Sequence, residues 1–290
     1  MVQIVDSLAE IADRYDAVFC DLWGCLHDGV IAFPEAVEAL RSFRAGGGKV
    51  VLLTNAPRAR AEVAKQLVRF KVPDDCWDTI ATSGDSARVA MFRGIIGTKV
   101  WYMGTKFDLP FFEPPAIVDN PVNVQRVTLD EAEGIACLGP FDPHADPEAN
   151  RPEFLLAKQK GLKLLCANPD IVVDRGERRE WCAGALAKLY TEMGGESLYF
   201  GKPHPPVYTL ARQRLEQIGA SVPDSRILCI GDGILTDIRG ALGEDLDSLF
   251  ITGGLAKAET QTDRQPEQEA LDAYVGEQQL TPTYAIGYLR

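Results

Sequence analysis

The sequence of 290 residues lacks the excess of positive charge that binding to nucleic acid or to an anionic membrane requires. Its 42 acidic residues outnumber 30 Lys and Arg residues, which leaves a formal net charge of -12 at pH 7. The average field of such a chain repels a phosphate polymer. We therefore expect neither nucleic acid nor a membrane as a partner, although a local cation can still hold a small phosphate group.

Disulfide and zinc-binding spacings are also missing. The seven cysteines are odd in number and scattered, and none forms a C-x-x-C pair. This usage fits free thiols in a reducing compartment and suggests no zinc site. The first residues lack the basic and long apolar segments of a signal peptide, and no apolar run approaches membrane-spanning length. These absences predict a cytoplasmic protein.

Short apolar runs alternate with helical patterns along much of the chain. The runs are too continuous for half-exposed strands and therefore predict buried parallel strands. They are Ala17–Cys20, Val50–Leu53, Leu198–Phe200, Ile227–Ile230 and Ser248–Ile251. Helical periodicity marks Pro34–Ala45, Arg58–Phe70 and Pro206–Ile218 between them. The pattern predicts an α/β fold with a doubly wound parallel sheet.

A second α/β pattern interrupts the first. It has predicted strands at Lys99–Gly104, Gly134–Gly139 and Leu162–Ala167, with helices near Asp85–Arg93 and Asp146–Lys160. An amphipathic helix over Glu180–Met193 is expected to return the chain to the first sheet. We therefore predict a core domain of residues 1–84 and 180–290 with an inserted domain of residues 85–179, joined by two linkers.

Polar residues follow four of the predicted strands of the core. Asp21 follows the first, Thr54 and Asn55 the second, Lys202 the third and Asp232 the fourth. A single strand-end Asp is commonly a helix-entry or turn residue. Four such positions together predict a ligand site, because open parallel sheets bind ligands at the carboxyl ends of their strands.

These segments resemble motifs of the haloacid dehalogenase-like superfamily, in its class IIA branch of NagD-like and 4-nitrophenylphosphatase-like proteins. The matching pieces, in the family's order, are Asp21-Leu22-Trp23-Gly24, Leu53-Thr54-Asn55, Gly201-Lys202-Pro203 and Gly231-Asp232-Gly233-Ile234-Leu235-Thr236-Asp237. The resemblance implies a Rossmann-like core with a C2-type cap as the insert. It also implies a hydrolase that acts on a small phosphate ester.

The resemblance assigns a role to each matching residue. Asp21 would be the nucleophile that forms an aspartyl-phosphate, and Lys202 would hold Asp21 and the phosphate group. Thr54 and the Asn55 amide would donate hydrogen bonds to phosphate oxygens. Such donors and cations offset the negative charge that otherwise repels an attacking carboxylate.

The implied cofactor is Mg²⁺, which prefers hard oxygen ligands. Asp21, Asp232 and, directly or through water, Asp237 would supply carboxylate oxygens. The backbone carbonyl of Trp23 would supply another. Because a carbonyl does not depend on its side chain, the residue type at position 23 need not affect this contact.

Trp23 departs from the family pattern, in which a carboxylate two residues after the nucleophile protonates the leaving oxygen and then activates water. An indole can do neither, which predicts a slow phosphatase. Two alternatives stay open: a metal-independent dehalogenase-type hydrolase, since such enzymes carry an aromatic residue here, and a catalytically weak phosphometabolite-binding or regulatory module. His27 is a candidate replacement acid or base, with a hydrogen-bonded structural residue as the simpler interpretation.

The inserted domain is expected to select the substrate, since the core residues contact mainly the phosphate. Asn168, Asp170, Arg175 and Arg178 lie near the end of its last strand and could face the cleft, although solvated surface residues are an equal alternative. The organic part of the substrate cannot be read from the sequence. A homodimer stays open.

Overall fold

The structure, a computed structural model, describes residues 1–175 and 178–290; the side chains of Asp174, Arg175 and Arg178 lie outside that description. The chain divides into two compact units. The first comprises residues 1–54, 64–81 and 202–290, and the second comprises residues 55–63 and 82–201.

The strands of the described residues are, in chain order, β1 Gln3–Ile4, β2 Ala17–Cys20, β3 Lys49–Thr54, β4 Thr79–Thr82, β5 Lys99–Met103, β6 Gln125–Val127, β7 Gly134–Cys137, β8 Lys163–Cys166, β9 Val172–Arg175, β10 Arg178–Trp181, β11 Glu196–Tyr199, β12 Ile227–Gly231, β13 Asp247–Ile251 and β14 Tyr284–Ile286.

The α-helices are α1 Pro34–Ala45, α2 Arg60–Arg69, α3 Ser83–Phe92, α4 Arg151–Gln159, α5 Ala183–Glu192, α6 Pro205–Gln217, α7 Arg239–Gly243 and α8 Gln268–Gln278. None of those in the described part of the chain has both the length and the apolar character needed to cross a bilayer.

The first sheet has seven strands in the order β1-β14-β13-β12-β2-β3-β4. The central pairs β12–β2 and β2–β3 are parallel, and every residue of β2 and β12 is buried. Burial on both faces explains why these strands are continuously apolar. Helix α1 begins with Pro34 at its first turn, ends before Gly46 and buries Val37, Leu40 and Phe43, as predicted.

The second sheet has five strands in the order β11-β8-β7-β5-β6. All neighbouring strands in it run parallel. Alternate residues of β7 and β8 enter two apolar clusters, one shared with α4 and α5 and the other with α3. Because successive strand residues point to opposite faces, helices cover both sides of this sheet. The predicted α/β fold with a second α/β region is confirmed.

Two elements differ from the sequence prediction. The sequence predicts Leu198–Phe200 as a strand of the first sheet, but β11 pairs with β8 of the second. An apolar run predicts a buried strand but does not predict which sheet the strand joins. Here Lys163 and Glu196, opposite each other in this pair, form an ion pair at 2.9 Å.

The helix predicted over Glu180–Met193 begins later and belongs to the second unit. Glu180 and Trp181 form part of β10, which pairs with β9 in an antiparallel hairpin. The helix α5 starts after Cys182 and packs Leu186 and Tyr190 against the second sheet. It therefore does not return the chain to the first sheet.

Candidate active site

Strand register brings Asp21 and Asp232 together at one edge of the first sheet. β2 and β12 are parallel neighbours in which Cys20 lies opposite Ile230, and the Asp21 amide donates a hydrogen bond of 2.8 Å to the Ile230 carbonyl. Asp21 and Asp232 each follow directly after their strand. Both carboxylates are buried.

Lys202 is held between two carboxylates of the same unit. Its Nζ lies 2.5 Å from Oδ1 of Asp21 and 2.7 Å from Oδ1 of Asp237, and the residue is only 3% exposed. The other Asp237 oxygen accepts hydrogen bonds from the Gly233 amide at 3.1 Å and the Thr236 hydroxyl at 3.2 Å. Both Asp237 oxygens thus have hydrogen-bond donors, which favours a role in positioning Lys202; a direct contact of Asp237 with a cation stays a prediction.

The electrostatics of this group leave negative charge without a partner. Burial, opposed by Lys202 and supported by Asp237, raises the pKa of Asp21 to about 7. Burial and the nearby Asp21 charge raise the pKa of Asp232 well above its usual value. Burial alone would lower the pKa of Lys202, but its two carboxylate partners raise it. Three carboxylates against one ammonium leave two excess charges when all are ionised, which a divalent cation would neutralise.

The donor set fits such a cation. Ligand atoms of Asp21, Cys25 and Asp232 all lie within 4.8 Å of one another. Glycines shape the space beside Asp232: a Cβ added at Gly24 or Gly254 would lie 2.1 Å from its Oδ2. The Leu255 amide donates to that same oxygen at 3.1 Å. Carboxylate oxygens are the ligands that Mg²⁺ prefers, so Asp21 and Asp232 fit this ion.

Comparisons with known proteins agree with this geometry. Residues 18–112 match the family model of the haloacid dehalogenase-like hydrolases, and residues 199–275 match a HAD-hydrolase-like model. A crystal structure of a hydrolase of the haloacid dehalogenase-like family from Brucella suis 1330 is 36% identical, with a TM-score of 0.83, over 99% of this chain and 100% of that one. The chain belongs to the haloacid dehalogenase-like family. The resemblance noted in the sequence motifs is thereby confirmed.

Two further relatives have named activities. The 5'-nucleotidase YutF of Bacillus subtilis is 24% identical over 252 residues, which cover 86% of this chain and 91% of the relative. A glycerol phosphate phosphatase from Mycobacterium tuberculosis, solved in complex with magnesium, has a TM-score of 0.69 at 24% identity and covers 95% of this chain and 76% of that one. Both of these relatives are phosphatases.

Cys25 is a member of the site that sequence reasoning missed, since its apolar neighbours suggest only a packing residue. The amides of Leu26 and His27 both donate to the Leu22 carbonyl, which reverses the chain just after Asp21. The turn brings Cys25 back toward the carboxylates. Burial and the charge of Asp232 raise the pKa of its thiol well above the usual value, so it is neutral when no cation is bound. The sequence signal for this contact was the position of Cys25 directly after Gly24, in the turn that follows Asp21.

Trp23 forms the outer part of the same turn. It is 36% exposed, and its ring lies so close to Gly29, which has a φ of +85°, that a Cβ there would be 2.1 Å from the indole. The His27 ring meets the indole edge-on at a centroid distance of 5.4 Å. Trp23 is thus fixed on one side by the loop, and its remaining surface is open.

The surroundings of His27 favour a structural role. Its Nδ1 accepts a hydrogen bond of 3.0 Å from the Gly29 amide, and its ring packs 4.8 Å from that of Phe70. Burial lowers the pKa of His27 to about 4, so the imidazole is neutral at pH 7 and has no second proton to donate. An acid or base role for His27 stays a prediction, and this geometry does not support it.

The predicted phosphate donors and substrate-selecting residues are divided between the two units. Thr54 is the buried last residue of β3. In the second unit, the Asn55 side-chain amide donates to Asp170 at 2.8 Å, and Asn168 accepts from the Asp170 amide at 3.0 Å. Asp170 therefore orients Asn55, and Asn168 shapes the turn that holds Asp170. The Arg175 and Arg178 side chains lie outside the described residues.

Saturating Mg²⁺ is expected to raise the Tm by several degrees at about pH 7.5 and by much less at about pH 5.5. The Asp21 pKa is about 7 in the folded chain against 3.8 ordinarily. Between these two pKa values the folded state therefore keeps a proton that the unfolded chain releases. The free energy of unfolding gains from this bound proton at low pH, and the gain is lost as the pH rises through 7. Mg²⁺ held by Asp21 would take the place of that proton. Differential scanning fluorimetry with and without Mg²⁺ measures the effect, and an equal shift at both pH values would contradict it.

Proposed function

We propose that this protein is a Mg²⁺-dependent phosphatase that hydrolyses a small phosphate ester through an aspartyl-phosphate on Asp21. The observation that carries the proposal is Lys202 locked between Asp21 and Asp237 beside the buried Asp232. This group combines a nucleophile, a fixed cation and two uncompensated negative charges. The named phosphatase activities of the relatives support the same reaction class.

In this mechanism Asp21 attacks phosphorus, and its bond to the phosphoryl group forms as the ester oxygen leaves. Lys202 keeps Asp21 oriented and offsets the charge of the incoming phosphate. Thr54 and the Asn55 amide donate hydrogen bonds to phosphate oxygens. Because Lys202 is already fixed by Asp237, little reorganisation is needed when the phosphate arrives.

Asp21 and Asp232 would hold Mg²⁺ directly, with the Trp23 backbone carbonyl as a further ligand. Asp237 would act indirectly through Lys202 and the Gly233 amide. When bound, the ion neutralises negative charge on the phosphate and on the two aspartates. We expect turnover to be slow because Trp23 provides no acid for the leaving oxygen.

A dehalogenase is the second candidate, and Trp23 is the observation that favours it. A metal-free site does not require the buried Asp232, whose charge is unfavourable unless a cation is present. A binding or regulatory module would likewise not require both Asp21 and Lys202 in this arrangement. These residues together favour the phosphatase.

A screen of phosphate esters with added Mg²⁺, run beside a binding screen, tests the proposal. Phosphate release that stops on EDTA treatment and returns with Mg²⁺ is the expected result. Binding of phosphate esters without turnover would support the module instead. Halide release that persists in EDTA would support the dehalogenase.

Asp170→Ala is expected to lower kcat/KM by a similar factor, about tenfold, toward every phosphate ester. The substitution removes the acceptor that orients Asn55, and Asn55 is proposed to act on the phosphate that all substrates share. Kinetics on a panel of esters with different organic groups measures this factor.

Asp170→Asn is the matched control, because its side-chain oxygen can still accept from Asn55 and should restore most of the activity. Arg178→Ala provides the contrast and is expected to change KM for some esters only. A change of preference among esters in Asp170→Ala, with the best substrate unaffected, would instead make Asp170 a selector.

A further inference from the structure

The sulfur of Cys25 lies among the two carboxylates that would hold Mg²⁺. Ligand atoms of Asp21, Cys25 and Asp232 all fall within 4.8 Å of one another. Cys25 is 1% exposed and Asp232 is 7% exposed. Buried polar atoms normally have partners. Among the described residues, however, no hydrogen bond reaches the Cys25 sulfur, and the Asp232 carboxylate accepts only one, at Oδ2 from the Leu255 amide.

This donor set differs from one that only a hard cation would use. Mg²⁺ takes oxygen ligands and gains little from sulfur. Zn²⁺ and Cd²⁺ bind cysteine sulfur strongly and also accept carboxylate oxygens and imidazole nitrogen. A sulfur beside two carboxylates therefore provides additional affinity only for the thiophilic ions.

The position of Cys25 is fixed by the backbone. The Leu22 carbonyl accepts hydrogen bonds from the amides of both Leu26 and His27, which closes the turn around Cys25. A Cβ at Gly24, the residue before it, would clash with Asp232 at 2.1 Å. The sulfur thus reaches the carboxylates without a large rearrangement, and a preorganised site loses little free energy on binding.

We infer that Asp21, Cys25 and Asp232 form a binding site for a thiophilic divalent cation, Zn²⁺ or Cd²⁺, which competes with Mg²⁺ at this centre. On coordination the Cys25 thiol releases its proton to water, and a sulfur lone pair bonds to the cation. The inhibitory consequence rests on the proposed function: an ion held by Cys25 excludes Mg²⁺ and occupies the nucleophile Asp21.

Cadmium titration of the purified full-length chain tests the site directly. The expected result is a sulfur-to-cadmium charge-transfer band in the ultraviolet that saturates at one ion per chain. Cys25→Ser and Cys25→Ala should lose this band and bind Cd²⁺ at least about tenfold more weakly by calorimetry, with Mg²⁺ affinity changed by less than about threefold.

Cys182→Ser is the matched control. Cys182 lies in the second unit at the N-cap of α5, a position that favours serine, so the fold should be kept and the band should remain. Circular dichroism and the Tm in EDTA show whether each variant is folded. If Cys25→Ser misfolds, Cys25→Ala is the deciding variant.

Retention of the band and of Cd²⁺ affinity in a folded Cys25 variant would overturn the inference. So would Cd²⁺ binding that excess Mg²⁺ does not weaken. The band does not depend on turnover. A protein that binds Cd²⁺ through Cys25 but hydrolyses no phosphate ester would therefore refute the proposed function and leave this site standing. An active phosphatase without the band would show the reverse.

Discussion

Asp21→Asn is expected to lower turnover by about 10⁴-fold or more, because the amide oxygen cannot form a phosphoryl intermediate. The fold should survive the substitution. The pKa of Asp21 is raised to about 7, which means that the folded chain disfavours the ionised form that Asn eliminates. Lys202 also keeps Asp237 as its partner at 2.7 Å. Phosphate release and the Tm, measured on the same preparation, check both parts.

Asp16→Asn is a suitable control. Asp16 directly precedes β2, the strand that Asp21 follows, and its ion pair with Arg226 is exposed. Exposed pairs contribute little to stability, so activity and Tm should change little.

Asp232→Asn separates metal binding from nucleophilic attack: it should raise the Mg²⁺ concentration needed for activity and also lower the rate. Unchanged turnover in Asp21→Asn would refute the mechanism.

The central strands of the first sheet were predictable because burial on both faces requires a continuous run of apolar residues, which is easily recognised in the sequence. Ala17–Cys20 and Pro34–Ala45 were predicted residue for residue. Asp21 and Asp232 could be placed together because parallel strands end at one edge of a sheet. Lys202 lies against Asp21, although it follows a strand of the second sheet and not of the first.

Contacts made by turns and by distant segments could not be read in this way. The sulfur of Cys25 reaches Asp232 only because two amides converge on the Leu22 carbonyl. Asn55 and Asp170 are 115 residues apart in sequence. No periodicity or strand-end rule relates such positions, since their contact depends on how the loops of a folded unit meet.

Replacing Trp23 with Asp is expected to raise turnover of alkyl phosphates by about 10²–10⁴-fold, the usual contribution of a positioned acid or base. Without that acid, wild-type turnover should depend steeply on the basicity of the leaving group, so that aryl phosphates react and alkyl phosphates are slow. Trp23→Asp should flatten this dependence. Steady-state rates across a series of phosphate esters measure the slope.

The second half-reaction should show the same defect. With Trp23 in place of the carboxylate that activates water in the family pattern, a good aryl leaving group should give a burst and a phosphoenzyme trapped on Asp21. Rapid-quench kinetics and mass spectrometry of the quenched protein detect both. In Trp23→Asp the burst should disappear because hydrolysis of the intermediate becomes faster.

Trp23→Asn separates this chemistry from lost packing. The indole covers Gly29 and meets the His27 ring, so any smaller residue loosens the turn. Asn and Asp lose this packing almost equally, but only Asp can transfer a proton. A gain shared by both variants would therefore show that Trp23 acts by obstructing the site.

If wild type hydrolyses alkyl phosphates at ordinary rates without a burst, another residue supplies the acid. His27→Ala would then be tested, although the pKa of about 4 and the occupied Nδ1 of His27 predict that it is not that acid.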